Sequence, residues 1–436
     1  MKTTVEIKKL GINGEGIGYI NRKVCFVKGA IVGEVVEIET TQPKNKNFYI
    51  GNLLKIVKPS ASRVKSICYA SQECLGCQLL HMSYAEQLNH KKALIKESIN
   101  KYTGIDLSYV KFNDVIGLNQ RKHFLMYVDL PIVEFKGKIT FGIYQRESKY
   151  LTIMTDCMKH HPLINQTLHD LEDILNKYEC KAYNDKFKKG LRFVKIRVLQ
   201  DKVQIVFITG KDGLKDEVVS DIKSLKQVNA LFMSVNTSKY QDFEEQGYKK
   251  IFGNTKNEYI YNNQKYLVSI KSHLPHNQEA YEIKNKVIKT MVKDSQKIIS
   301  LNCQLGILEL SLDQDVVAID EKRDHIEDAK YNGRVLEKDN VKFVCGNIET
   351  KVIPYSKKKI YDTFIIHNEK NGIPDSLKET LRLAKVETII YVSISPSTMA
   401  KDIQDLSKYY RVVEIKPIDS HLYQSYVTSV VKLVRK

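Results

Sequence analysis

The chain runs to 436 residues, with 42% hydrophobic and 28% charged side chains. That balance is ordinary for a soluble globular protein, and the length exceeds one ordinary core, so two or three domains are expected. The 69 Lys and Arg against 51 Asp and Glu leave a net charge of +18, which favours a polyanionic partner because each neutralised phosphate releases counterions; a solvated, lysine-rich surface is the alternative. No run of about 18 apolar residues occurs, so no membrane span is expected. The start Met1-Lys2-Thr3-Thr4-Val5-Glu6 lacks the apolar centre of a signal peptide, and a cytoplasmic protein is expected.

From the N-terminus, short alternating segments are punctuated by glycines. Val5-Glu6-Ile7, Val24-Cys25-Phe26-Val27, Glu34-Val35-Val36-Glu37-Ile38-Glu39 and Phe48-Tyr49-Ile50 read as strands, with a basic turn at Lys44-Asn45-Lys46. Several strands within residues 1–58 predict a small barrel, since closure removes exposed edges. Gly14-x-Gly16-x-Gly18, followed by Phe26-Val27-x-Gly29-Ala30-x-x-Gly33-Glu34, resembles a TRAM domain, an OB-like barrel that binds RNA. A generic barrel with a protein partner is the other reading.

Residues 59–264 mix helical and strand periodicities. Residues 84–95 have helical spacing and a basic face that includes Lys91 and Lys92, while 124–130 and 139–144 alternate as strands. The basic turn Lys186-Phe187-Lys188-Lys189-Gly190 leads into 191–209, which reads as a hairpin turning at Gln200-Asp201-Lys202. From 265 onward, apolar and mostly β-branched runs at 298–301, 316–319, 341–344, 363–366 and 388–392 alternate with helical stretches at 322–336, 376–384 and 398–406. Such alternation predicts a parallel sheet covered on both faces.

The segment Tyr391-Val392-Ser393-Ile394-Ser395-Pro396-Ser397-Thr398-Met399-Ala400-Lys401-Asp402 resembles the nucleophile loop of the RNA uracil-C5 methyltransferases, which reads Tyr-Val-Ser-Cys-Asn-Pro-x-Thr-Leu-Ala-Arg-Asp. The resemblance covers essentially the whole chain. It implies an α/β protein with an N-terminal OB-like β-barrel (TRAM) over 1–58, a mixed central domain with iron-sulfur cysteines over 59–264, and a C-terminal Rossmann-like class I methyltransferase domain over 265–436.

Eight cysteines in a cytoplasmic protein argue against a disulfide framework. Cys68-x5-Cys74-x2-Cys77, with Cys157 farther on, matches the iron-sulfur spacing of the branch that acts on 23S ribosomal RNA and implies a [4Fe–4S] cluster. A four-thiolate zinc site and unligated core thiols are the alternatives.

Ser300-Leu301-Asn302-Cys303-Gln304-Leu305-Gly306 occupies the place of the family's Asp-Leu-Tyr/Phe-Cys-Gly-x-Gly loop, with Gln304 where the family has glycine. The resemblance implies an S-adenosylmethionine site using Asn302, Gly306, Asp320 toward the ribose and Asn347 near the adenine. The family's Asp-Pro-Pro-Arg-x-Gly is here His367-Asn368-Glu369-Lys370-Asn371-Gly372, and its Phe-x-Gln-Val-Asn is His273-Leu274-Pro275-His276-Asn277. Its His-Val-Glu-Thr-Val reads Tyr426-Val427-Thr428-Ser429-Val430.

The catalytic positions are therefore held by Ile394 and Thr428. A hydrocarbon side chain cannot attack the uracil ring, and threonine cannot remove the C5 proton near neutral pH. A monomeric RNA-binding member that has lost catalysis is expected, with ribosomal RNA as partner, a vestigial S-adenosylmethionine site and a role in ribosome assembly. An active methyltransferase with rearranged chemistry and an iron-sulfur redox sensor of RNA binding are the alternatives.

Overall fold

The computed structural model describes residues 2–41, 46–71, 74, 76–144, 151–239, 246–368 and 370–436. Lys44 and Asn45 of the expected basic turn, and Glu369, lie outside them. The chain forms two compact units, each built from separate stretches: 1–118, 283–301 and 352–436 in one, 119–282 and 302–351 in the other.

The first unit begins with a six-stranded sheet in the order Lys2–Glu6, Val35–Thr41, Phe48–Lys58, Lys23–Val27, Gly16–Ile20, Lys9–Leu10. Alternation along these strands sends Val5, Cys25, Val27, Val36 and Ile38 into one core. The sheet curls on itself at Gly18, where an added Cβ would meet the Glu6 carbonyl at 2.7 Å, so only glycine lets the third strand in the chain cross the first so closely. Glu34 is fully buried and accepts from the Ile31 amide and from both Nε and Nη2 of Arg63, at 2.5 and 2.8 Å. That bidentate pair fixes the exit of the chain from the barrel.

Ser83 caps the helix Tyr84–Tyr102 through the Glu86 amide. Its buried face is Gln87, His90, Lys91, Leu94, Ile95 and Ile99. Lys91, read from sequence as part of a basic face, is fully buried. Helical spacing alone does not separate a solvated lysine from one whose head finds a carboxylate inside.

The same unit holds the parallel strands Lys297–Leu301, Thr363–His367 and Thr388–Ser393, adjacent in that order. Thr428–Arg435 then joins antiparallel to the third, Tyr410–Ile418 antiparallel to Thr428–Arg435, and Lys111–Phe112 lies parallel at the edge. The sheet expected to be parallel is thus mixed. The stretch between Ile418 and Thr428 holds no helix, and a return without a crossover gives antiparallel pairing.

In the second unit a seven-stranded sheet runs Leu151–Ile153, Lys138–Tyr144, Tyr127–Phe135, Leu191–Leu199, Lys202–Thr209, Val228–Val235, Lys249–Gly253. The helix Pro162–Lys177 presents Ile164, Leu168, Leu171 and Leu175 at helical spacing, and the helix Asp216–Ser224 adds Val218 and Ile222; all join one core with the sheet. The expected hairpin forms, with Gln200 at φ 54° in its turn. Asp315–Asp320 and Val341–Cys345 pair in parallel beside the helix Arg323–Val335. Among the described residues no helix is long and apolar enough to cross a membrane.

Candidate active and cofactor sites

Ile394 directly follows the strand Thr388–Ser393 and is 6% exposed. Ser395 then caps the helix Pro396–Leu406, accepting from the Thr398 amide at 3.4 Å and sharing a 2.8 Å hydroxyl contact with Thr398. The loop is braced from inside by Asp402. Its carboxylate accepts from the Tyr391 hydroxyl at 2.6 Å and the Ile373 amide at 3.0 Å, and pairs with Lys378 at 3.0 Å. Burial and the neighbouring Asp402 push the Tyr391 phenol well above its ordinary value, so it donates rather than ionises. Gly372, at φ 77°, completes the brace: a Cβ there would stand 2.9 Å from Thr398 Cγ2 and 3.0 Å from Asp402.

Ser393 pairs with Ser429 across the sheet, so the next positions along the two strands are Ile394 and Thr428. The register brings together the two positions that the sequence resemblance assigns to nucleophile and base. Thr428 is buried, and its hydroxyl contacts Ser420, whose own hydroxyl lies 2.9 Å from His421 Nδ1. Lys91 and Asp419 form an ion pair with no exposure of either side chain, and Lys91 Nζ also donates to the His421 carbonyl at 2.9 Å. Burial draws the Lys91 ammonium below its ordinary pKa, against the pull of Asp419. Lys370 lies 4.8 Å over the Tyr426 ring. Ile394 offers a hydrocarbon side chain, and Thr428 a hydroxyl already engaged with Ser420. Sequence reasoning missed Ser420 and His421, close in sequence to Thr428, and the Lys91–Asp419 pair, whose members lie 328 positions apart with nothing in local spacing to announce the contact.

In the second unit the cofactor-loop candidates gather around one turn. Asn302, Gln304 and Gly306 all have positive φ, at 58°, 52° and 66°. A Cβ on Gly306 would collide with the Phe343 ring, so that glycine is required. Gln304 holds a left-handed conformation against the usual steric penalty for a side chain, about 1–2 kcal/mol. Asp320 is 5% exposed. One of its oxygens accepts from the Gln304 amide at 2.9 Å, the other from the Lys322 amide at 2.9 Å and from His325 Nδ1 at 3.2 Å. Burial works to raise its pKa, but these bonds outweigh it and hold the carboxyl below its ordinary value.

Asn347 is exposed and donates to Glu321 at 2.9 Å, while its oxygen accepts from the Thr350 amide at 3.2 Å. Cys303 is buried, and burial first, then Glu309 and Asp320, raise its thiol far above the ordinary range. It is no substitute nucleophile. A cleft of about 360 Å³ in this unit is lined by Tyr127, Asp129, Lys195, Arg197, His273 and Lys322, among others. The Tyr127 hydroxyl meets His273 Nε2 of the same lining at 3.1 Å and His276 Nε2 at 2.6 Å. His325 and Glu321, which engage Asp320 and Asn347, were not found from sequence.

Cys68, Cys74 and Cys77 are half-buried and Cys157 is buried. Cys74 Sγ accepts from the Gly76 amide at 3.3 Å. Among the described residues no group of three or more His, Cys, Asp or Glu side chains is placed to hold a metal ion. The loop is tied by the Leu79 amide to the Tyr423 carbonyl at 2.9 Å and by Gln424 to the Gly76 carbonyl at 3.1 Å.

Residues 2–51 match the TRAM domain. Over 444 residues the chain is 31% identical to an uncharacterized RNA methyltransferase of Bacillus cereus, covering 99% of this chain and 96% of the relative. An uncharacterized RNA methyltransferase of Streptococcus agalactiae is 29% identical over 99% of this chain and 98% of its own. The crystal structure of Pyrococcus abyssi tRNA (uracil-54, C5)-methyltransferase, in complex with S-adenosyl-L-homocysteine, superposes with a TM-score of 0.78 at 21% identity, covering all of both chains. That likeness establishes a methyltransferase-type fold.

Proposed function

We propose that this chain, which belongs to the RNA uracil-C5 methyltransferase family, binds RNA without methylating it. The observation that carries the reading is the pair at the strand ends, where buried Ile394 and hydrogen-bonded Thr428 stand in the nucleophile and base positions. Uracil C5 takes up a methyl group only after a nucleophile adds at C6, and the product is released only when a base removes the C5 proton. Neither side chain can do its part. Incubation with labelled S-adenosylmethionine and unmodified ribosomal and transfer RNA tests this; label on uridine C5 well above background would overturn it.

Ribosomal RNA is the proposed partner and ribosome assembly the proposed setting, with crosslinking in cells and sequencing of the bound RNA as the check. S-adenosylmethionine binding is proposed to be weak. Both Asp320 oxygens already accept bonds from the chain, Asn347 is held by Glu321, and Gln304 adds a side chain beside the turn. Equilibrium dialysis with the labelled cofactor measures it. The [4Fe–4S] cluster on Cys68, Cys74, Cys77 and Cys157 is proposed on the spacing of the cysteines alone. Iron and sulfide analysis of anaerobically purified protein decides it, and zinc without iron would overturn it.

A further inference from the structure

Outside these sites, one turn of the second unit holds a large aromatic ring out in solvent. Phe187 is 63% exposed, and its backbone is firmly held. The Asn184 amide donates to the Lys189 carbonyl and the Lys188 amide to the Asn184 carbonyl, each at 2.8 Å. The Asn184 side-chain oxygen accepts from the Lys186 and Phe187 amides at 3.0 and 3.3 Å, and Lys188 takes φ 56° to close the turn. Asp212 accepts from the Gly190 amide at 2.9 Å, and the Lys211 amide donates to the Lys188 carbonyl at 2.9 Å. A Cβ on Gly210 would lie 2.6 Å from Lys189 Cα, so the neighbouring segment is pressed against the turn. The ring is displayed on a preorganised support, which lowers the ordering entropy of any contact made there.

The surroundings are strongly basic. Lys181, Lys186, Lys189, Lys211 and Lys239 are exposed around the turn, and Lys186 Nζ lies 5.6 Å from the centre of the Phe187 ring. The nearby acids are already engaged, Asp185 with Lys188 at 2.6 Å and Asp212 with the Gly190 amide. Arg192 serves the frame, donating to Asn236 and to the Ser238 carbonyl while its guanidinium lies 4.9 Å over Tyr183.

We propose that this turn is a base-stacking finger for single-stranded RNA, Phe187 taking the face of one base while Lys186, Lys189 and their neighbours take the flanking phosphates. A single strand offers both complements at once, a flat π face and a phosphate at every nucleotide. A duplex hides its base faces, and an acidic peptide supplies charge with no face to stack. The inference rests on the RNA-binding reading and assigns it a surface.

The test is fluorescence anisotropy of the full chain with a short unstructured RNA and with an RNA duplex. Phe187→Ala should weaken single-strand binding about tenfold at fixed salt, leave duplex binding and the salt slope unchanged, and be rescued by Phe187→Trp. The double variant Lys186→Ala/Lys189→Ala should instead reduce the salt slope by about 1.4, roughly 0.7 per lost phosphate contact. If the parent binds with a steep salt slope but Phe187→Ala matches it, or the tryptophan fails to rescue, the finger is overturned and the RNA reading stands. If the parent binds no RNA, both fall. Poly-glutamate that binds in an equally Phe187-dependent way would overturn the finger in favour of an acidic protein partner.

Discussion

Removing the Lys91 side chain tests how the segment leading to Thr428 is held. Lys91 and Asp419 are paired with neither side chain exposed, and Lys91 also donates to the His421 carbonyl at 2.9 Å. In Lys91→Ala the Asp419 carboxylate loses its cation where water does not reach, and its second oxygen already has no hydrogen-bond partner. Breaking a buried pair by removing one member costs about 3–5 kcal/mol, because the other charge stays behind. At about 2–4 °C per kcal/mol for a cooperative unit of 150–250 residues, the melting transition of the first unit should fall by roughly 6–20 °C. Lys91→Met keeps most of the stem and isolates the charge. The double variant Lys91→Met/Asp419→Asn should lose clearly less than the two single variants together, since it leaves no orphaned ion. Calorimetry with urea titration of the set gives the coupling. A Lys91→Ala loss below about 1 kcal/mol, or additive single and double losses, would refute the claim that this pair holds the segment.

Three further outcomes follow from the sites described. Ile394→Cys alone should release no 5-methyluridine, since Thr428 still cannot take the C5 proton, and nucleoside mass spectrometry of treated RNA checks it. His90 and His160 are buried, and burial depresses each to about 4 from an ordinary 6.5. The unfolded chain therefore binds their protons first, so stability should be flat above pH 6.5 and fall from there to pH 4, by up to about 3 kcal/mol for each histidine; urea midpoints against pH measure it, and His90→Gln should flatten the slope. Gln304→Gly exchanges left-handed strain for unfolded-state entropy, so stability should move by less than about 1 kcal/mol, while cofactor affinity by dialysis should rise as the side chain leaves the turn.

The legible parts of this chain were those set by local pattern. The strand at 388–392, the helix at 398–406 and the hairpin turn at Gln200 all lie within a residue or two of their expected places, because apolar periodicity and caps act over a few residues. The family resemblance over 391–402 was equally plain, since that sequence is contiguous. What stayed hidden was decided at long range. Lys91 and Asp419 lie 328 positions apart, and no periodicity says that a lysine on a helix will turn inward to a carboxylate from the far end of the chain. The commitment of Asp320 to His325 and two amides was invisible for a related reason: the acid is readable, its partners depend on how strand, turn and helix close around it.

The proposed loss of catalysis can be set against the residues that brace the loop. Tyr391, Asp402 and Gly372 match the family pattern, and each does structural work: Asp402 binds Tyr391, the Ile373 amide and Lys378, and Gly372 leaves the room that packing requires. Gly306 also matches, and a side chain there would strike Phe343. Two of the departures, Ile394 and Thr428, fall where the resemblance places side chains that serve the reaction rather than the frame. If that division is right, stability should track it. Asp402→Ala orphans a buried phenol and an amide, leaving Lys378 its pair with Asp405, and should cost about 2–5 kcal/mol, whereas Ile394→Cys trims a buried aliphatic group and should cost about 1–2 kcal/mol. Thr428→Ser keeps the hydroxyl bond to Ser420 and should cost less than about 1 kcal/mol. Urea unfolding of the three variants is the measurement. An Ile394→Cys loss as large as that of Asp402→Ala would mean that the isoleucine has become a packing residue in its own right, and the reading of it as a lost nucleophile on an intact frame would have to be abandoned.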